Sequence, residues 1–102
     1  MSQAKIDVSE THVVVGAVSV TWSDIGVVSA YKLDLLTIDE IRVLVGFGNP
    51  EKVLELSEEQ EGFEPFIRAA EAKLSFPDGW WEHLTTPAFE RSKATLFRRE
   101  SL

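Results

Sequence analysis

Asp34, Asp39 and Glu40 flank one short connection, and they are the first residues of this chain that could do chemistry together. Carboxylates brought close can raise one another's pKa or bind a hard cation. The calcium-loop spacing is absent, however, and acidic residues beside turns are ordinarily solvated, so the structural reading outweighs the catalytic one. Were this connection an active site, Asp34→Asn or Asp39→Asn would abolish an activity without unfolding the domain. Histidine offers less. His12 stands at the start of a strand, and His83 has Glu82 beside it, but neighbouring residues on a helix point in different directions. The chain has no cysteine, which removes disulfides, thiolate nucleophiles and Cys-ligated zinc or iron–sulfur sites. No serine sits in a Gly-x-Ser-x-Gly elbow. The Gly46-Phe47-Gly48 pair fails as a dinucleotide fingerprint: Glu51 stands where glycine is needed, and a proline-containing turn follows instead of a helix. No catalytic residue, metal ligand or cofactor is assigned, and the expectation is a protein that is not an enzyme.

The aromatic residues carry more. Trp22 fits the apolar face of a strand and reads as core, whereas Trp80 and Trp81 are consecutive and cannot both bury in one direction. An exposed tryptophan is a typical hot spot of a protein interface. The competing and favoured reading is that the pair plugs the end of a small sheet or barrel. The candidate interaction surface is therefore Trp80 or Trp81 together with Asp34, Asp39 and Glu40. Arg91, Lys93, Arg98 and Arg99 form the basic cluster, expected to pair within the molecule with the acidic N-terminal two-thirds.

Charge is the strongest compositional signal. Ten Lys and Arg against 17 Asp and Glu give a net charge of -7, with four basic and twelve acidic side chains in residues 1–64. Such a surface repels phosphate backbones and anionic headgroups, so neither nucleic acid nor membrane is an expected partner. A basic protein partner is favoured kinetically. A chain of 102 residues is one domain by size and can bury one modest core. The first residues lack an apolar stretch, and Val13 to Val20 is interrupted by Gly16 and Ser19, too short for a bilayer. With no cysteine, a cytoplasmic location is expected.

These side chains must be positioned by strands and one helix. His12–Val15 and Ala17–Trp22 are rich in β-branched residues, with Gly16 read as a bend or bulge rather than a full turn. Ser23-Asp24 reads as a strand exit, and 27–35 as the next strand, with Val27, Tyr31, Leu33 and Leu35 on one face. After a connection over Thr37–Glu40, Ile41, Val43, Val45 and Phe47 alternate cleanly, and Gly48-Asn49-Pro50-Glu51 turns the chain into a partner strand over Lys52–Leu56. The period then changes: Phe63, Phe66, Ile67, Ala70 and Leu74 share one helical face, with glutamates crowding its N-terminal end. Phe76-Pro77-Asp78-Gly79 ends the helix, and Asp78 is placed to cap a short turn over Trp80–His83. Pro87 breaks the chain before a last strand over Ala94–Arg98. Strands followed by a helix, without βαβ alternation, indicate an α+β domain with an antiparallel sheet of about five to six strands and one amphipathic helix in the C-terminal half.

Trp22-Ser23-Asp24-Ile25, Ala30-Tyr31-Lys32 with Asp34, Thr37 with Asp39 and Ile41, Glu61-Gly62-Phe63, and later Trp81 and Pro87-Ala88-Phe89 together resemble small uncharacterised bacterial proteins of about this length. The Trp-x-Asp-Ile element is similar to one in pleckstrin-homology-like bacterial domains, whose strands curl into a partly open barrel closed by a helix. The resemblance implies a fold and supplies no activity. Phosphoinositide-binding relatives use basic residues between early strands, where this chain offers Gly16 and Ala17, so lipid-headgroup binding is not carried over. The leading expectation is a non-enzymatic interaction or regulatory module with an acidic surface. Alternatives are a toxin-immunity-type protein neutralising a basic partner and a small-molecule-binding domain using the mouth of the curled sheet. An unpaired edge strand would also allow a homo-oligomer.

Overall fold

Side-chain alternation decides where the sheets form. The computed structural model describes residues 4–34, 39–86 and 92–99; Leu35, Thr37, the Pro87-Ala88-Phe89 element and Arg91, all named above, lie outside the described residues. The β-branched runs produce β1 (Ile6–Val8), β2 (His12–Val15) and β3 (Val18–Thr21), an antiparallel meander. A short 3₁₀ turn at Trp22–Asp24 leads into β4 (Ile25–Asp34), followed by β5 (Asp39–Phe47) and β6 (Lys52–Ser57). Helix α1 spans Phe63–Leu74, α2 spans Trp80–Thr85, and β7 (Ser92–Arg98) returns to pair antiparallel with β4.

The protein is α+β, and its strands divide between two antiparallel sheets: a three-stranded one in the order β1-β2-β3 and a four-stranded one in the order β6-β5-β4-β7. This differs from the expected single sheet of five to six strands. Among the described residues the sheets do not close into one barrel. The β5–β6 hairpin forms as the alternation and the Gly-Asn-Pro turn predict, with Phe47 opposite Lys52. Gly16 is the larger surprise. Val15 pairs directly with Val18, so Gly16 and Ala17 make a full two-residue hairpin turn. Its φ of +61° at the first central position is what such a turn takes from glycine.

One core joins both sheets to α1. Val13, Val15 and Val20 from the small sheet meet Val28, Ala30, Ile41, Val43, Val45 and Leu56 from the large one. Helix α1 inserts Phe63, Phe66, Ala70 and Leu74, with Ile67 packed partly buried beside them, as the 3.6-residue period requires. Trp22 stacks on Phe66 with ring centroids 6.0 Å apart, and its indole N–H donates to Ser9 O.

The buried face of β4 is not the one that its apolar residues suggest. Val28, Ala30 and Lys32 point inward, while Val27, Tyr31 and Leu33 are half-exposed. The ladder with β5 skips one position between Ile25 and Val27, a bulge that reverses the inward parity for the rest of the strand. A second helix, α2, follows α1. Gly79 in the left-handed region is its N-cap residue and makes no side-chain cap, so Asp78 does not occupy that role. Among the described residues no helix is long and apolar enough to cross a membrane.

Candidate interaction site

The turn between β6 and α1 is tied down by side chains. Gln60 is buried; its Oε1 accepts from the Ser57 N–H at 2.7 Å, and its Nε2 donates to Ala4 O at 2.7 Å. Glu58 is held just as firmly to β5. Its N–H donates to Ile41 O (3.0 Å), and its Oε1 accepts the Ile41 N–H (2.7 Å). Where α1 begins, Phe63, Pro65 and Ile67 line a groove of about 520 Å³ together with Glu58, Gln60, Glu64 and Trp81.

Trp80 and Trp81 part company on α2. Trp80 is buried; its indole N–H donates to Glu71 Oε2 at 2.9 Å, and its ring meets Phe76 edge-on at 5.7 Å. Trp81 stands edge-on to Trp80 at 5.5 Å and is 38 % exposed, within the groove. One tryptophan therefore plugs the space beneath the helices and anchors the other in an ordered pose at the surface.

Asp34 and Asp39 are opposed in the β4–β5 ladder, though the Asp34 side chain lies outside the described ones. Asp39 and Glu40 do not converge, because alternation along β5 sends them to opposite faces. Asp39 Oδ2 lies 3.8 Å from Lys32 Nζ. Glu40 instead accepts from Ser57 Oγ and from Arg42 Nε, both at 2.6 Å, while Arg42 Nη1 reaches Glu55 at 2.6 Å. The Ser57 hydroxyl, followed by the Arg42 guanidinium, holds the Glu40 carboxyl below the usual range against the opposing effect of burial. Glu58 goes the other way. Burial, and then the charges of Glu59, Glu40 and Asp39, push its carboxyl up, although the Ile41 N–H partly offsets this. Tyr31 is likewise pushed up, by burial and by Glu55 beside it.

Among the described residues the expected pairing of the C-terminal basic cluster with carboxylates does not form. Arg99 Nε donates to Ile25 O, and its guanidinium lies 5.3 Å from the Phe97 ring; among the described residues Lys93, Arg98 and Arg99 enter no ion pair. For Arg99 the reason is position: its guanidinium donates to the backbone carbonyls of Ile25 and Trp22 at the β3–β4 corner. Two residues that matter here escaped the sequence. Lys32 was masked by the bulge that turned it inward. Glu58 was one glutamate in a run, and only the fold shows that it faces a groove. Among the described residues no group of three His, Cys, Asp or Glu side chains is placed to hold a metal ion.

Comparison of the chain with protein-family models, with curated proteins and with solved structures finds no match.

Proposed function

We propose that this protein is a non-enzymatic interaction module that engages a basic protein partner through the groove between the head of α1 and Trp81. The observation that carries this reading is the groove's make-up. A 38 % exposed tryptophan lies beside Phe63, Pro65 and Ile67, and the charged side chains lining the same space are both carboxylates. An ordered aromatic beside an apolar wall is the usual centre of a binding hot spot. Carboxylates at such a place favour a cationic partner, and the net charge of -7 would steer one toward it.

The test is a tagged pull-down from native lysate at low and high salt, with folded Trp81→Ala and Glu58→Gln variants alongside. A stoichiometric basic protein, retained by the parent and lost from either variant and at high salt, is the expected result. A partner whose capture ignores both substitutions and ionic strength would remove this reading.

A further inference from the structure

Resting on that reading, we propose that the partner's anchor is a single arginine side chain, with its guanidinium on the Glu58 carboxylate and its stem along Trp81. Four features of the groove point there.

The first is a carboxylate still open to a cation. Among the described residues Glu40 and Glu55 share Arg42, Glu64 pairs with Arg68 and Asp39 with Lys32, yet Glu58 enters no ion pair. Its Oε1 is engaged by the Ile41 N–H, which aims the group without neutralising it. A half-buried carboxylate of this kind gains from a charge-assisted bond more than a fully solvated one does.

The second is the fixed aromatic. Trp81 is braced edge-on by Trp80, and Trp80 is fixed in turn by Glu71 and Phe76. Little side-chain entropy remains to be lost when a ligand covers the ring.

The third is capacity. A space of about 520 Å³ with Pro65 and Ile67 along it accepts a long aliphatic stem.

The fourth separates arginine from lysine. A guanidinium is planar, is weakly hydrated and carries donors in a fork that fits a carboxylate, whereas an ammonium holds its water tightly. Entry into a half-apolar groove therefore favours arginine.

The experiment follows the Trp81 indole N–H resonance of the full chain by NMR during titration with the peptide Gly-Gly-Arg-Gly-Gly. The same peptide with lysine or with citrulline at its centre serves for comparison. Expected are a saturable Trp81 shift with arginine, a weaker one with lysine, none with citrulline, and binding at least about tenfold weaker in Glu58→Gln. The glutamine keeps a carbonyl for the Ile41 N–H, so the remaining spectrum should stay folded and unchanged. Equal responses to arginine and citrulline, equal responses to arginine and lysine, or full binding by Glu58→Gln would each overturn the inference. A silent Trp81 beside a lysate partner that Trp81→Ala still loses would overturn it too, while leaving the interaction module standing. A responsive Trp81 with no partner in the lysate would overturn the interaction module and, with it, the inference that names its partner's anchor.

Discussion

Lys32 Nζ lies 3.8 Å from Asp39 Oδ2 and donates to Thr85 O at 3.3 Å, with none of the lysine side chain exposed. The ammonium thus satisfies a carbonyl at the end of α2, the helix that carries Trp81, and ties that end to the large sheet. Loss of the carboxylate leaves a wholly buried ammonium less well balanced, whereas loss of the lysine leaves Asp39, whose side chain is 19 % exposed and reaches water. Asp39→Asn should cost about 3 kcal/mol, and Lys32→Met, which fills the same space but takes the donor from the Thr85 carbonyl, about 1–2 kcal/mol. Urea-unfolding midpoints of the two variants check the order. A Lys32→Met loss exceeding that of Asp39→Asn would contradict it.

Glu58 should weaken the fold that holds it. Its folded-state pKa is raised by burial, so the ionised form costs stability above that pKa, and the cost vanishes as pH falls toward the unfolded value. Glu58→Gln is expected to be more stable than the parent at pH 8, by less than about 1 kcal/mol given its partial exposure, and equal to it in acid. Thermal melts of both proteins across pH provide the comparison.

Glu40 has the opposite sign. Its folded pKa is lowered, first by the Ser57 hydroxyl and then by Arg42, so its contribution is present above the unfolded carboxylate range and lost as pH falls through the folded value. Glu40→Gln should destabilise by about 1–2 kcal/mol at pH 7, and the gap to the parent should close on acidification. A gap that stays constant from neutral to acid pH would show that the charge is not the stabilising feature.

Gly62 admits no side chain. It holds a φ of +91°, and an added Cβ would overlap Ile6 O and stand 2.9 Å from Ile6 C. The obstructing atoms are all Ile6 backbone, which leaves nothing flexible to move, so Gly62→Ala should cost at least about 3 kcal/mol, through strain and separation of β1 from the head of α1. Circular dichroism melts would register this as a large fall in Tm.

The adjacent tryptophans should separate stability from binding. Trp80→Ala empties a buried site and breaks the bond to Glu71, with an expected loss of about 3–5 kcal/mol. Trp81→Ala removes a half-exposed ring and should cost under about 1 kcal/mol while abolishing capture of the partner. Chemical denaturation and the pull-down, run on both variants, read the two effects independently.

Periodicity made much of this architecture legible. The face of α1 that carries Phe63, Phe66, Ala70 and Leu74 and the β5–β6 hairpin follow from residue spacing alone, because each is set by local geometry. The partition into two sheets was not legible, since nothing local distinguishes a glycine that bends one strand from one that turns the chain back. The inward parity of β4 was hidden for the same reason. Val27, Tyr31 and Leu33 form the better apolar stripe, and only the ladder with β5 shows the skipped position. For the candidate site, the chain marked Trp80 and Trp81 and showed that they cannot both bury in one direction, but not which of them reaches the surface, a choice tied to Glu71 on another helix.

The bulge between Ile25 and Val27 acts on β4 as a frameshift acts on a reading frame. With the extra residue in place, the strand downstream is read as Val28, Ala30, Lys32, and the interior receives an amine. Without it, the strand would be read as Val27, Ser29, Tyr31, Leu33, a mainly apolar face with the lysine left in water. The second reading would give a simpler core and no tether for the end of α2. A residue with no functional group of its own, Gly26, thereby sets which message the strand delivers, and the placement of Trp81 inherits that choice.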